Sequence, residues 1–138
     1  NLEAGRVVGE GETADFLSGA KYADNVFTGD ARMEGGVCLV DIGGGVTIAA
    51  AFKASGRVFI RISPEDIILS KGFIETSARN EFQSRITAVE EAGRIIRLKV
   101  DAGRIFTVQI TRRSLEEMKL NIGGVVYISF KASSVEMT

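Results

Sequence analysis

Short apolar runs alternate with polar residues along most of the chain, and this alternation predicts β-strands. Residues 58–62 and 105–110 are rich in β-branched and aromatic side chains, which favour strands. Glycine-containing turn signals separate such runs, for example at residues 43–45 and 101–103. A spacing of about 8–12 residues between turns is typical of a small all-β barrel or sandwich.

Two short segments depart from the strand pattern and predict helices. Residues 12–18 form the first, which a glycine follows. The second is predicted to begin at Ser114 as N-cap, to carry Glu116 and Glu117 in its first turn, and to end before Gly123. We therefore expect an all-β fold with one or two short helices.

The chain contains two copies of one small β unit. Residues 27–31 and 82–86 begin similar runs of strand, turn and strand, and residues 56–62 can be laid over residues 124–130. Units of this size bury too little surface to be stable alone, so we expect the two copies to pack together.

The repeat predicts where the two subdomains begin and end, and it shows a difference in charge between them. The first subdomain is expected at residues 23–74 and the second at residues 75–138. In the overlay, residues 63–67 fall on residues 131–135, so the second copy has a lysine and hydroxyl groups where the first has two carboxylates. An anion would be attracted to one place and repelled from the other.

Composition narrows the possible classes of function. The chain contains no His, which excludes Ser-His catalysis and most zinc and iron sites. Cys38 is the single cysteine and lies in an apolar run, which fits a buried thiol in a reducing cytosol. No apolar run approaches the roughly 20 residues that a membrane span needs, so membrane association is expected to come through a partner.

Charge is distributed unevenly along the chain, although the net charge is only −1. Residues 1–70 carry 6 basic and 10 acidic side chains, a net charge of −4, whereas residues 71–138 carry 11 basic and 8 acidic ones, a net charge of +3. The second half is therefore the better candidate for binding an anion.

Two segments of the second half combine the groups that a tetrahedral oxyanion needs. Such a dianion only accepts hydrogen bonds, so it needs hydroxyl, amide and backbone N–H donors beside fixed positive charge. Arg79 and Lys131 would supply the charge. The neutral donors would be the side chains of Ser77, Asn80, Ser133 and Ser134 and the backbone at the small residues Ala78 and Ala132.

The alternative interpretation of these segments is structural. Arg79 and Lys131 would then be solvated charges at strand ends, and Ser77 and Asn80 would be ordinary turn residues. Acidic pairs elsewhere are interpreted as solvated surface groups, because no His or third carboxylate stands at ligand spacing. We predict no catalytic residue, and metal only as part of an oxyanion.

The second half also resembles a known family, the molybdate-binding Mop (molbindin) repeat. The resemblance covers about residues 75–138 and rests on both end motifs, residues 77–80 and 130–135. Matching positions between them are Ile86, Gly93, Val100, Gln109, Ile110, Thr111, Ser114, Leu115, Leu120 and Gly123. The chain departs from the family at Ser84, where the family usually has glycine.

This resemblance implies a fold and a ligand. The chain would form two tandem OB-like β-barrel subdomains of the TOBE/Mop type. The ligand would be molybdate or tungstate, held between the chains of a homodimer, with no other cofactor. One chain would supply Ser77, Ala78, Arg79 and Asn80, and its partner Lys131, Ala132 and Ser133, with Thr111 and Ser134 nearby.

The first half resembles the C-terminal domains of ABC importer ATPase subunits. Residues 63–67 are similar to the R-P-E-D-I stretch of those domains, with Ser63 in place of the arginine. Residues 25–29 resemble the N-x-x-x-G that opens them, and residues 4–8 resemble the last strand of the ATPase domain. The resemblance implies that residues 1–22 are a tail from an ATPase domain missing here.

Together the two resemblances imply a regulatory domain of a molybdate/tungstate ABC importer ATP-binding subunit, which senses cytosolic oxyanion and inhibits import when it is plentiful. Its partners would be a second copy, its own ATPase domain and the membrane permease subunits, without nucleic acid. It would lie in the cytoplasm at the inner face of the cell membrane. The chain has no G-x-x-x-x-G-K-[ST] phosphate loop, so we expect no ATP hydrolysis by it alone.

Other functions remain as alternatives. A molbindin-type storage protein with two repeats should carry the binding motif in both, whereas this chain has it in one. The ligand-binding half of a molybdate-responsive transcription factor should follow a helix-turn-helix. An OB-type nucleic-acid binder is disfavoured by the acidic first half and by an aromatic content of 7%.

Overall fold

The computed structural model describes residues 24–72 and 80–138 of the chain. These residues form two groups of five strands and one α-helix. In chain order they are β1 Asn25–Glu34, β2 Val37–Gly43, β3 Val46–Ala50, β4 Gly56–Ile62, β5 Ile68–Ser70, β6 Asn80–Ala92, β7 Ile95–Asp101, β8 Ile105–Thr111, α1 Arg112–Met118, β9 Val125–Phe130 and β10 Glu136–Met137. Two 3-10 turns, Pro64–Asp66 and Ala132–Ser134, precede β5 and β10. The all-β prediction is confirmed.

The strands form two antiparallel sheets that exchange their last strands. The first sheet has the order β10-β4-β1-β2-β3 and the second the order β5-β9-β6-β7-β8. The two orders are the same when β1–β5 are matched in turn with β6–β10. However, β5 pairs with β9 of the second copy, and β10 pairs with β4 of the first. Each sheet therefore contains strands from both halves of the chain.

The strand register agrees with the sequence overlay of the two copies. Asn25 pairs with Ile62 where β1 meets β4, and Asn80 pairs with Phe130 where β6 meets β9. A 3-10 turn begins two residues after Ile62 and again two residues after Phe130. The pairing continues through Ser84, which lies opposite Val126, so the serine that replaces the family's glycine leaves the strand intact.

One hydrophobic core contains side chains from both sheets. Every second residue of β1 from Asn25 to Ala31 is buried, as the alternating pattern predicts. Phe27 of the first sheet contacts Phe106 of the second, with ring centroids 5.0 Å apart. Burial of each such side chain contributes about 1.5–3 kcal/mol to folding. Cys38 is 1% exposed and belongs to the same core, as predicted.

Two hairpin tips form a close contact between the sheets. Gly44, between β2 and β3, and Gly103, between β7 and β8, lie so close that a Cβ atom on either would overlap the backbone of the other. Beside them, Arg104 donates a hydrogen bond to the carbonyl of Ile42. Its guanidinium lies 5.1 Å from the centre of the Phe27 ring.

The α-helix begins earlier than the sequence predicted. Thr111, in an extended conformation, is the N-cap, and its hydroxyl accepts a hydrogen bond from the Ser114 amide at 3.1 Å. The prediction of Ser114 as N-cap was wrong because Thr111, three residues earlier, also has a hydroxyl group suited to that role. Left-handed Lys119 ends the helix. The helix predicted at residues 12–18 lies outside the described residues.

No helix within residues 24–72 and 80–138 has the length and apolar character needed to cross a membrane.

Candidate functional site

Asn80 from the first predicted oxyanion motif and Lys131 from the second lie at one end of the second sheet. Asn80 is the first residue of β6 and lies opposite Phe130, the last residue of β9. Lys131 follows Phe130 directly, so Asn80 and Lys131 lie at the same end of adjacent strands of one chain. Ser77, Ala78 and Arg79 precede Asn80 but lie outside the described residues. The prediction that a partner chain supplies Lys131 stays a prediction.

The turn after β9 has a geometry suited to an anion. Lys131 is exposed and precedes the 3-10 turn Ala132–Ser134. The first internal hydrogen bond of the turn runs from the Ser134 amide to the Lys131 carbonyl, at 3.0 Å. The turn itself therefore does not use the amide hydrogens of Ala132 and Ser133. Two hydroxyl groups and one ammonium group stand on the same four residues.

Contacts with the first sheet hold this turn in place. The Ala132 carbonyl accepts a hydrogen bond from the Ala51 amide at 3.2 Å. Asn80, only 3% exposed, binds the same region because its side-chain amide accepts from the Ala49 amide at 2.8 Å and donates to the Ala49 carbonyl at 3.0 Å. One residue of the candidate site thus also joins the two sheets.

Asn25 makes the corresponding contact in the first copy. Its side chain accepts from the Thr107 amide at 2.6 Å and donates to the carbonyls of Thr107 and Ile62. The sequence contained a signal for this role, because Asn25 and Asn80 coincide in the repeat overlay. The sequence suggested either a ligand or an ordinary turn residue at Asn80, and it did not reveal that both asparagines bind backbone across the sheets.

At the equivalent position of the first copy, the turn carries acidic groups in place of hydroxyls. The turn Pro64–Asp66 replaces Ala132–Ser134, so it lacks one backbone N–H and carries two carboxylates. Asp24 stands where the overlay places Arg79. This end of the first copy therefore has one backbone donor fewer and more acidic side chains than the corresponding end of the second.

Arg61 lies beside Asp24 and reaches two segments of the chain. Its Nη1 lies 2.9 Å from Asp24 Oδ2, and its Nη2 binds Glu136 of β10. The hydrogen bond donated to Glu136, followed by the one to Asp24, raises the pKa of the Arg61 guanidinium above its ordinary value. The sequence did not point to these ion pairs, because residues 24, 61 and 136 are far apart along the chain.

Thr111 is remote from the other predicted ligands within one chain. It lies opposite Ile95, which lies opposite Ala92 at the far end of β6 from Asn80. There it borders a shallow cleft of about 320 Å³, whose other lining residues are Arg94, Ile95, Arg112 and Arg113. Arg112 pairs with Glu91, and Arg113 with Glu117. The structure of one chain does not bring Thr111 to the Asn80 end of the sheet.

Among residues 24–72 and 80–138, no three His, Cys, Asp or Glu side chains converge so as to hold a metal ion. The groups described at the Asn80 end are hydrogen-bond donors and one ammonium group, a combination that suits an anion. The residues described there are Asn80, Lys131, Ala132, Ser133 and Ser134.

Comparison with known proteins identifies the class to which this arrangement belongs. Residues 76–137 match the model of the TOBE domain family. The match covers β6 to β10 and includes both predicted motifs, residues 77–80 and 130–135. The second half of the chain is therefore similar to TOBE domains.

The sequence relatives of the chain belong to a narrower group of proteins. It is 42% identical over 94 residues to the molybdate/tungstate import ATP-binding protein WtpC of Pyrococcus abyssi. The matched region covers 67% of this chain and 27% of that protein. It is 34% identical over 138 residues to WtpC of Pyrococcus horikoshii. That matched region covers 96% of this chain and 40% of that protein. The chain thus spans well under half the length of these relatives. The predicted relationship to such importer subunits is confirmed.

A solved structure shares the fold. The cytoplasmic molybdate-binding protein ModG, with molybdate bound, superposes with a TM-score of 0.69 at 26% sequence identity. The match covers 82% of this chain and 94% of that one. This likeness confirms the predicted pair of OB-like units.

Proposed function

We propose that this chain is the oxyanion-binding regulatory domain of a molybdate/tungstate ABC importer ATP-binding subunit. The observation that carries the proposal is the difference between the two copies at one structural position. The turn Ala132–Ser134 offers hydroxyls, a preceding lysine and two amides that the turn's own hydrogen bonds do not use, whereas Pro64–Asp66 offers a proline and two carboxylates. The names of the sequence relatives and the molybdate bound to ModG support the identity of the anion.

The proposed ligand shell combines charge with neutral donors. Arg79 and Lys131 compensate the charge of the dianion, and each charge-assisted hydrogen bond contributes about 1.5–3 kcal/mol. The other donors are the side chains of Ser77, Asn80, Ser133 and Ser134 and the backbone amides of Ala78 and Ala132. Thr111 would approach the site from a second copy, because β7 separates it from β6 within one chain.

The proposed regulation follows from a site shared by two copies. A ligand shifts an equilibrium between two arrangements only if it binds one of them more tightly. A site completed by pairing of two regulatory domains meets this condition, because it exists only in the paired arrangement. Bound oxyanion would then hold the attached ATPase domains apart and inhibit import. ATP hydrolysis would belong to the remainder of the intact subunit, at the cytoplasmic face of the membrane.

Thermal denaturation tests whether the chain recognises these anions. A ligand that binds only the folded state at 100 times its Kd stabilises that state by about 2.7 kcal/mol. We expect tungstate and molybdate to raise the Tm and sulfate at equal concentration and ionic strength to leave it unchanged. Lys131→Ala should remove the shift, and the exposed Lys53→Ala should retain it. An equal shift in both variants would contradict the proposed site.

Inhibition is tested separately in the intact transporter. The importer is reconstituted in liposomes, and ATP hydrolysis is followed while tungstate is added on the side of the ATP-binding subunits. The proposal predicts a fall in ATPase rate that Lys131→Ala abolishes while the rate without tungstate stays the same. An unchanged rate in wild type, at concentrations that saturate the isolated domain, would show that binding has no inhibitory effect.

A further inference from the structure

The strand that follows the candidate oxyanion turn is very short. β10 consists of Glu136 and Met137 only, which pair with Arg61 and Ile60 of β4. One more backbone hydrogen bond runs from the Thr138 amide to the Phe59 carbonyl, at 2.9 Å. A strand of this length at the edge of a sheet has little backbone pairing to hold it, so its side-chain contacts decide how firmly it is attached.

Arg61 forms an ion pair with a side chain of this strand. Glu136 lies directly opposite Arg61 in the ladder and binds its Nη2, while Nη1 binds Asp24. The planar guanidinium can hold both carboxylates at once because its donors have a fixed geometry. Asp24, whose side chain is only 16% exposed, holds the guanidinium from the other side. One side chain thus connects β10, β4 and the residue that precedes β1.

The pairing of β10 with β4 helps to hold the chain where it leaves the turn Ala132–Ser134. Only Val135, which is 4% exposed, separates Glu136 from Ser134. At its start the turn is held by the Ala51–Ala132 hydrogen bond. If β10 leaves β4, only the buried Val135 side chain still holds the chain directly after Ser134, so Ser133 and Ser134 are held less firmly in one arrangement.

We infer that Arg61 is a positioning residue for the oxyanion site, acting through Glu136 and β10 on the turn Ala132–Ser134. This inference rests on the proposed function, since it concerns the affinity of the same site. An anion binds only molecules in which the turn is formed. Its apparent association constant is therefore the intrinsic one multiplied by the fraction of molecules in which the turn is formed, and the Arg61 ion pairs raise that fraction.

The first copy provides an internal comparison. There β5 follows the turn Pro64–Asp66 and pairs with β9, and Ile68 lies opposite Ser129. These are the positions of Glu136 and Arg61, and neither residue can form an ion pair. The ion-paired attachment is found only on the strand that follows the anion-attracting turn, which indicates a role beyond holding an exchanged strand.

Titration with tungstate tests the inference. Because exposed ion pairs are individually weak, we expect Arg61→Ala and Glu136→Ala each to raise the Kd for tungstate by about two- to fivefold. The double variant should bind no more weakly than Arg61→Ala alone, and Arg61→Lys should recover most of the affinity. Arg32→Ala, which breaks the exposed Arg32–Glu34 pair on β1, is the matched control and should bind as wild type.

Hydrogen exchange of the ligand-free variants distinguishes positioning from a general loss of stability. Arg61→Ala should speed amide exchange at residues 133–138 while the urea midpoint and exchange in β6 and β7 stay close to wild type. If wild type binds tungstate and Arg61→Ala binds equally well, the inference is overturned and the proposed function stands. If wild type binds no tungstate, the proposed function fails and this inference fails with it.

Discussion

Asn25 and Asn80 occupy equivalent positions in the two sheets, and each binds the backbone of the edge strand of the opposite sheet. Asn25 of β1 binds Thr107 of β8, and Asn80 of β6 binds Ala49 of β3. Both side chains are buried, at 5% and 3% exposure. Hydrogen bonds in such surroundings are costly to remove, because the backbone groups left behind cannot reach water.

This pair separates the structural role of Asn80 from its proposed role in binding. Asn25→Ala and Asn80→Ala should each lower the free energy of unfolding by about 1–3 kcal/mol, measured by urea denaturation, because each leaves a backbone N–H and C=O without partners. Only Asn80→Ala should also weaken tungstate binding beyond what its stability loss explains. Equal loss of affinity in both variants would assign Asn80 a structural role alone.

The repeat made much of this fold predictable. Alternating apolar residues located the strands, and the overlay of residues 63–67 on residues 131–135 matched the two segments that form 3-10 turns in the structure. The exchange of β5 and β10 could not be predicted in this way. A three-residue strand such as β5 shows the same alternation whichever sheet it joins, so its partner is decided by contacts distant in sequence.

The candidate site was predictable to a similar degree. The chemistry of Lys131, Ser133 and Ser134 could be recognised because these residues are adjacent in the sequence. The contacts that hold them could not, since Ala51 and Arg61 carry no sequence signal for a turn some 70–80 residues away. The role of Thr111 as helix cap was missed because Ser114 fits the same pattern.

Gly44 should be required for the contact between the hairpin tips. A Cβ at residue 44 would overlap the Gly103 backbone and lie 3.2 Å from Arg104 Cδ. Gly45 also has a positive φ, of 80°, but nothing lies within 4 Å of its Cβ position. Urea denaturation should show a loss of about 1–2 kcal/mol for Gly45→Ala, from backbone strain alone, and a larger loss for Gly44→Ala. Equal losses would show that the tips are not in contact.

Ala132→Pro should impair binding without unfolding the protein. Pro64 already occupies the equivalent position, and Lys131 has the extended conformation, φ −78° and ψ 150°, that a residue before proline requires. The substitution removes one amide donor, which is expected to cost about 1.5–3 kcal/mol of binding, or roughly 10- to 150-fold in the Kd for tungstate. The control, Pro64→Ala, should leave the Kd unchanged. Full affinity in Ala132→Pro would exclude the Ala132 amide as a ligand.

Mixing of variants tests whether two copies share the site. Arg79→Ala and Lys131→Ala chains are each expected to bind no tungstate. If Arg79 and Lys131 of one site come from different copies, a mixed dimer regains one intact site, so a refolded equimolar mixture should bind about 0.25 tungstate per chain. If both residues of a site belong to the same copy, the mixture binds none, and the shared-site proposal is contradicted.

Isothermal titration of the chain with tungstate, molybdate and sulfate tests the central claim most directly. We expect heat of binding for tungstate and molybdate, little or none for sulfate, and loss of the signal in both Arg79→Ala and Lys131→Ala. Absence of heat with any of the three anions, under conditions where the wild-type chain is folded and dimeric, would contradict it. The turn Ala132–Ser134 would then be a structural element without a ligand.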